Sequence, residues 1–248
     1  MKPVLRNARL AVVLLVCTAI PSSPTLAADA GAEKSGKPLP RVLLLGDSIS
    51  IGYTPFVQEM LKGEAVVLRP MAANGKRPEN CAGTNNGVKH VERWLMIDGG
   101  NWDVIHFNFG LHDLKRVMPG TGKNSNDPKH PRQAEPDAYE RQLREIALKL
   151  KQTGAELVFC TTTPVPAGGV TPHRDVEDAQ RYNAIGRKIA EEVGADVNDL
   201  WAVAQPRLNE IQRPVNVHFT RDGSKFLAEH VVQAVRRRLG SKSRANAE

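Results

Sequence analysis

The chain has 248 residues, of which 41% are hydrophobic and 25% charged, and its formal net charge is +7. This length fits one globular α/β domain with its own core, and the two fractions are those of ordinary globular proteins. The basic residues are spread along the chain without an interleaved aromatic tract, so the charge does not call for a nucleic-acid partner, and we expect none. No ligand spacing typical of a metal site is present.

The first 27 residues have the pattern of a signal peptide. Lys2, Arg6 and Arg9 precede an apolar run over residues 10–20, and small residues follow as far as Ala27. This run is too short to span a bilayer, and no other stretch approaches about 20 apolar residues. We therefore predict a secreted or periplasmic protein without a membrane-inserted segment. Removal of three basic and no acidic residues would lower the net charge from +7 to +4.

The rest of the chain divides into three predicted regions. Residues 28–40 contain glycines and prolines and are predicted to form a flexible linker. Residues 41–240 are predicted to form the folded domain, and residues 241–248 a disordered tail. Cys81 and Cys160 remain in the mature chain, and the sequence leaves open whether they pair in an oxidising compartment.

Short apolar runs alternate with segments of helical period along the domain. Such alternation is typical of a parallel sheet that helices cover on both faces. We therefore expect an α/β fold with a parallel sheet of about five strands. The predicted strands are residues 41–46, 65–69, 103–108, 156–162 and 195–199.

Apolar side chains recur at helical spacing in three segments. One helix is predicted around Leu143 and Leu150, and another around Leu227 and Ala234. A third is predicted after Ser48, with Pro55 near its start, where a missing N–H costs least. Ser48 is thus expected between a strand and a helix. Open parallel sheets bind their ligands at that edge, beyond the carboxyl ends of the strands.

Ser48 is the candidate nucleophile, and His218 is its candidate base. A serine hydroxyl is a poor nucleophile at neutral pH, so it needs a base within hydrogen-bonding distance. The pKa of imidazole lies near the working pH, which suits His218 to that task. The plainer alternatives are that Ser48 caps a helix and that His218 is a buried structural histidine.

Three sequence blocks resemble those of the SGNH, or GDSL-type, esterase family. They are Gly46 to Tyr53, Gly110 to Asp113 and Val217 to Thr220, they stand in the family's order, and the resemblance spans about residues 41–239. It implies a three-layer α/β/α, flavodoxin-like fold, the SGNH hydrolase fold. It also implies hydrolysis of carboxylic esters through an acyl-Ser48 intermediate, with no metal and no cofactor.

The resemblance also implies an oxyanion hole. The backbone N–H of Ser48 would contribute to it, and a glycine in the loop after the second strand would supply another N–H. Gly83 is our choice for that glycine, with Asn80 nearby as a substrate-binding residue, although Gly75 and Gly87 fit the spacing almost as well. Any of these glycines can equally be a turn residue.

The chain departs from the family pattern at two positions. His112 stands where the family has an asparagine that donates to the oxyanion; an imidazole can also donate an N–H. Val215 stands where the family has the aspartate that orients the histidine. Asn216 is the nearest polar residue, and we predict that it orients His218, unless a backbone carbonyl or a distant aspartate does so.

The leading interpretation is a monomeric, exported esterase that removes O-acetyl or other short acyl groups from carbohydrates. Its substrate would be a small-molecule or glycan ester, and Thr162, after the fourth predicted strand, is a candidate substrate contact. One alternative is a lipase or lysophospholipase, which would need an apolar lid from the polar insertion at residues 116–136. Another is a carbohydrate-binding relative that lost catalysis, as Val215 and His112 would allow.

Overall fold

A computed structural model describes residues 38–245, with side chains as far as residue 241. The predicted signal peptide, the predicted linker up to residue 37 and the last three residues of the predicted tail lie outside the described residues. Within the described part, no helix is long and apolar enough to cross a membrane.

The centre of the domain is one sheet of five parallel strands in the order β2-β1-β3-β4-β5. All five predicted strands are present with slightly narrower bounds, and the strand order is that of flavodoxin-like folds. Four of the five residues in β1 are buried, because helices cover both faces of the sheet. The strands are β1 (Arg41–Leu45), β2 (Val66–Leu68), β3 (Val104–Phe107), β4 (Glu156–Cys160) and β5 (Asp196–Asn198).

Seven α-helices are present among the described residues. The first and last helices pack on each other, and the second, third and fourth pack in series, which gives the predicted three-layer α/β/α arrangement. The helices are α1 (Ser48–Met60), α2 (Thr84–Leu95), α3 (Pro136–Lys151), α4 (Asp178–Val193), α5 (Leu200–Ala204), α6 (Leu208–Ile211) and α7 (Arg221–Ala245). Helix α7 therefore continues to Ala245 in the region that we predicted as a disordered tail.

Helix α1 begins well before Pro55, whereas we predicted this proline near the start of the helix. Asp47 is its N-cap, and the Asp47 carboxylate accepts a hydrogen bond of 2.9 Å from the backbone N–H of Ile49. Because this cap starts the helix at Ser48, Pro55 lies inside the helix and not near its start. The missing proline N–H removes the helical hydrogen bond that would reach the carbonyl of Ile51.

Two glycines allow helices to pack closely around the sheet. A Cβ at Gly186 in α4 would lie 2.2 Å from the ring of Phe159 in β4, and a Cβ at Gly87 in α2 would lie 2.5 Å from Ile146 in α3. Contacts this short leave no room for any side chain. The helix layer over β3 and β4 is therefore fixed tightly on the sheet whose carboxyl edge holds the candidate site.

Ion pairs hold the insertion at residues 116–136 against the segment that leads into α4. Arg116 and Arg132 both pair with Asp175, and Arg132 also pairs with Asp178 at the start of α4. Isolated β-bridges also form within the insertion. The sequence left open whether this segment is a disordered loop or a lid, and the structure has it as an irregular segment bound to the body of the domain.

Candidate active site

The carboxyl edge of the sheet opens into a crevice between β1 and β3. Strand β1 lies between β2 and β3, so the chain after β1 and the chain after β3 lead to helices on opposite faces of the sheet. Ligands bind at such a reversal point in open α/β sheets. Ser48 follows β1 directly, and His112 follows β3.

Ser48 and His218 are in hydrogen-bonding contact. Ser48 Oγ lies 2.8 Å from His218 Nε2, although 170 positions separate the two residues. His218 Nδ1 lies 2.8 Å from Asn216 Oδ1, and the backbone N–H of His218 donates to the same oxygen over 2.9 Å. An amide oxygen can only accept, so Nδ1 carries the ring proton and Nε2 is free to accept the proton of Ser48.

Val215 points away from Ser48, His218 and Asn216. Its side chain is exposed, and its φ of 49° is a left-handed conformation that is strained for a β-branched residue. The side chain lies near Gly168, where an added Cβ would be 3.4 Å from Val215 Cγ2. Within residues 38–241, no carboxylate hydrogen-bonds to the His218 ring, so Asn216 is its side-chain partner on that side.

The environment keeps His218 neutral at ordinary pH. Burial lowers the pKa of His218, and the nearby carboxylate of Asp47 opposes that shift by favouring the charged ring. A neutral imidazole with Nε2 unprotonated is the form that can accept a proton from a serine hydroxyl.

The Ser48 and His218 side chains face a cleft of about 280 Å³. Asn80 and His112, two of the residues singled out in the sequence, line the same cleft together with Asn216. Four further polar residues in its wall, which the sequence did not single out, are Lys115, Asn124, Thr171 and Arg174.

Gly83 and Thr162 do not line this cleft. Gly83 is the N-cap of α2, and a Cβ added there would lie 2.8 Å from a carboxylate oxygen of Asp113. Thr162 is 1% exposed, and its backbone N–H donates to Asn183 Oδ1 over 2.7 Å. Sequence spacing could not decide among the three candidate glycines, and none of them lines the cleft. Thr162 is buried because its backbone N–H and carbonyl both hydrogen-bond to Asn183 in α4.

Two groups in the cleft are suited to stabilise an oxyanion. Ser48 is the first residue of α1, and N–H groups in a first helical turn lack intrahelical partners and sit at the positive end of the helix dipole. His112 is largely buried, and burial lowers its pKa to about 4. Its imidazole is therefore neutral near pH 7, with one N–H to donate and no charge of its own.

Arg69 stabilises the turn before Ser48, a role that the sequence analysis did not predict. Its guanidinium donates to the carbonyl of Gly46 over 3.3 Å and to the carbonyl of Glu79 over 3.0 Å, and it also binds the hydroxyls of Ser50 and Thr54 in α1. It thus joins the turn before the nucleophile to the loop that carries Asn80. The available signal was an arginine at the end of an otherwise apolar predicted strand.

The two cysteines that the sequence left open are separate thiols. Cys81 and Cys160 are both buried and unpaired, and burial raises the pKa of Cys81 to about 12. A thiol with so high a pKa is a poor nucleophile at neutral pH. Among the described residues, no group of three or more possible metal ligands is present.

A family model matches most of this chain. The model described as GDSL-like lipase/acylhydrolase matches residues 44–226. No curated protein matches the sequence significantly.

Several solved structures share the fold. An acetyl xylan esterase, AlAXEase, is 20% identical with a TM-score of 0.59, over 79% of this chain and 99% of the other. A lipase/acylhydrolase from Enterococcus faecalis is 17% identical with a TM-score of 0.62, over 81% and 97%. Axe2, an acetylxylan esterase from Geobacillus stearothermophilus, is 17% identical with a TM-score of 0.60, over 79% and 94%.

Proposed function

Because this chain belongs to the GDSL-like lipase/acylhydrolase family and is a carboxylic ester hydrolase, we propose that Ser48, His218 and Asn216 carry its chemistry and that it removes short acyl groups from carbohydrates. The observation that carries the proposal is the contact of 2.8 Å between Ser48 Oγ and His218 Nε2, with Asn216 behind the ring. Nucleophile, base and orienting residue in this arrangement are the parts of an acyl-transfer site.

In the proposed reaction, Ser48 Oγ attacks the ester carbonyl and gives its proton to His218 Nε2. The carbonyl oxygen becomes an oxyanion, held by the backbone N–H of Ser48 and an imidazole N–H of His112. Collapse of this intermediate breaks the bond to the alcohol, which leaves with the proton from His218. Water then attacks the acyl-Ser48 ester and gives a proton to His218. When this second intermediate collapses, the carboxylic acid leaves and Ser48 Oγ takes the proton back from His218.

The lining of the cleft favours a short acyl group on a polar alcohol. Most of the residues that line it are polar, so a long apolar acyl chain would find few apolar contacts there. Asn80, Lys115 and Asn124 offer hydrogen bonds to hydroxyl groups. Two of the similar structures are of acetyl xylan esterases, which agrees with this substrate class.

The lipase alternative fits the insertion poorly. Of the apolar residues in this segment, Val117 and Ala134 are buried at 8% and 4% exposure, which leaves Met118 as the apolar side chain exposed there. A lid that binds a lipid chain needs a continuous apolar surface. A protein that only binds carbohydrate would have no need for a serine hydroxyl paired with a correctly protonated histidine.

We expect acetyl esters to be cleaved about tenfold or more faster, in kcat/KM, than octanoyl esters, because the mostly polar lining of the cleft offers a longer apolar chain few contacts. The measurement is hydrolysis of 4-nitrophenyl acetate, butyrate and octanoate by residues 28–248, together with acetate release from acetylated xylo-oligosaccharides. Ser48→Ala, checked by its thermal melt, gives the background rate. A preference for octanoate would favour the lipase alternative, and rates equal to background on every ester would favour a binding protein.

A further inference from the structure

Two cations in the wall of the cleft have no acidic partner. Arg174 is 6% exposed, and Lys115 is half-buried. Arg174 Nε donates to the carbonyl of Leu111 over 2.8 Å, and Nη1 donates to the carbonyl of Pro172 over 3.1 Å. Within residues 38–241, neither cation forms an ion pair, and Arg174 Nη2 has no acceptor.

This arrangement has an electrostatic cost. Burying a guanidinium that forms no direct ion pair is unfavourable, and two like charges in one cleft add repulsion. Burial lowers the pKa of Arg174 to about 10, which still leaves it charged at neutral pH. Burial also lowers the pKa of Lys115, and the charge of Arg174 lowers it further. A bound anion would relieve both costs.

The other buried arginines of the described chain use both terminal nitrogens within the protein, although the Nε atoms of Arg69 and Arg116 have no partner there. Arg116, at 8% exposure, pairs with Asp175. Arg69 has no carboxylate partner, but both of its terminal nitrogens are used on four protein oxygens. Arg174 is a buried guanidinium with a terminal nitrogen still free, and it lies in the wall of the candidate active site.

The acidic groups near the two cations offset their charge only in part. Asp47 acts on Arg174, but among the described residues no hydrogen bond joins the two side chains, and the Asp47 carboxylate accepts from the N–H of Ile49. Asp113 acts on Lys115, but burial raises the pKa of Asp113 to about 7, so this carboxyl is only partly ionised at neutral pH. His112 and His218 share the cleft, and burial lowers the pKa of each, so both rings are neutral at ordinary pH and add no charge. Lys115 makes no side-chain hydrogen bond in the described part of the chain, so its role is not that of a structural tether.

We propose that the substrate carries a carboxylate close to the ester, as in an O-acylated uronic acid, and that Arg174 and Lys115 bind this carboxylate in the cleft beside Ser48. Arg174 Nη2 is free to donate to a carboxylate oxygen while the Nε and Nη1 bonds hold the guanidinium in place, and Lys115 adds a second charge. The inference rests on the proposed function, because it assigns the substrate class of the same site.

The test compares two matched esters, O-acetylated methyl glucuronoside and O-acetylated methyl glucoside, with acetate release as the readout. We expect the ratio of their kcat/KM values to favour the uronate by about tenfold at low ionic strength, and to fall in about 0.5 M salt because salt screens the attraction. O-acetylated glucose 6-sulfate provides a second anion with a different shape.

The Lys115→Gln variant should reduce the preference for the uronate about threefold to tenfold, mainly through KM. Arg174→Lys, which keeps the charge but loses the planar fork, should reduce it as well. Lys62→Gln is the matched control: Lys62 is exposed, it follows the far end of α1 about 20 Å from Ser48, and its removal should leave the ratio unchanged. Thermal melts check that each variant is folded.

Each outcome separates this inference from the proposed function. Equal rates on the uronate and the glucoside, or a ratio that Lys115→Gln leaves unaltered, would overturn the carboxylate site while the esterase remains. An equal preference for the sulfate would overturn the assignment to carboxylates. Failure to hydrolyse any ester, 4-nitrophenyl acetate included, would overturn the proposed function itself.

Discussion

Replacement of Ser48 by alanine is expected to lower kcat on 4-nitrophenyl acetate by about 10³-fold or more, because no other group in the array can form the acyl intermediate. His218→Ala should have a similar effect, since Ser48 Oγ would lose the acceptor that now lies 2.8 Å away. The double variant should be little worse than either single one, because residues that act as a unit are not additive.

Ser50→Ala is the matched control for this experiment. Ser50 is on the same helix, but its hydroxyl donates to the carbonyl of Asp47 and accepts from Arg69, and it does not contact His218. Its loss should reduce the rate by about tenfold at most, because only the support of the turn is affected. Substantial activity in a folded Ser48→Ala protein, or an equal loss in Ser50→Ala, would contradict the assignment.

Substitution of Asn216 is expected to have the second largest effect. Asn216→Ala should lower kcat by about 10-fold to 100-fold, because the amide oxygen fixes both the ring and the backbone of His218. Asn216→Asp should raise kcat by about tenfold, since a carboxylate at this position stabilises the imidazolium that forms in the transition state.

The pH profile gives the clearer readout for Asn216→Asp. Catalysis needs neutral His218, so the rate rises with pH through the pKa of His218, which burial holds below its usual value. A negative charge beside Nδ1 raises that pKa, so the acid limb of the profile should move to higher pH. The change in kcat is therefore best measured on the plateau above it.

Val215→Asp is the matched control, because it restores the aspartate at the position where the resemblance to the family expects it. Val215 is 52% exposed and turned away from His218, so an aspartate there should leave the acid limb where it is. Aspartate also tolerates the left-handed backbone better than valine does. A shift of the limb in Val215→Asp, with none in Asn216→Asp, would exclude Asn216 as the orienting residue.

The sheet and its surrounding helices were predictable because their signals are local. Apolar runs such as Val42 to Leu45 are buried on both faces, and helical spacing marks α3 and α7 clearly. The start of α1 was less predictable: Pro55 suggested a later beginning, whereas the capping bond of Asp47 sets it at Ser48. A proline inside a helix costs stability that tertiary packing can offset.

The contact between Ser48 and His218 was predictable only through the ordered sequence blocks. Which loop side chains face the cleft was not predictable, because the direction of each side chain depends on contacts with residues that are distant in the chain. The guanidinium of Arg174 is held in the wall of the cleft by its hydrogen bond to the carbonyl of Leu111, which is 63 positions away. Thr162 is instead held inward by Asn183. No periodicity or spacing in the sequence reports such tertiary bonds.

Covalent trapping of the nucleophile tests the central claim most directly. The protein would be treated with a 4-nitrophenyl phosphonate ester, which reacts with an activated serine and mimics the tetrahedral intermediate, and the adduct would be located by peptide mass spectrometry. We predict one phosphonyl group per chain on Ser48, loss of 4-nitrophenyl acetate hydrolysis in step with labelling, and no adduct in Ser48→Ala. Full activity without an adduct on Ser48, or inactivation through an adduct on a different residue, would contradict the account.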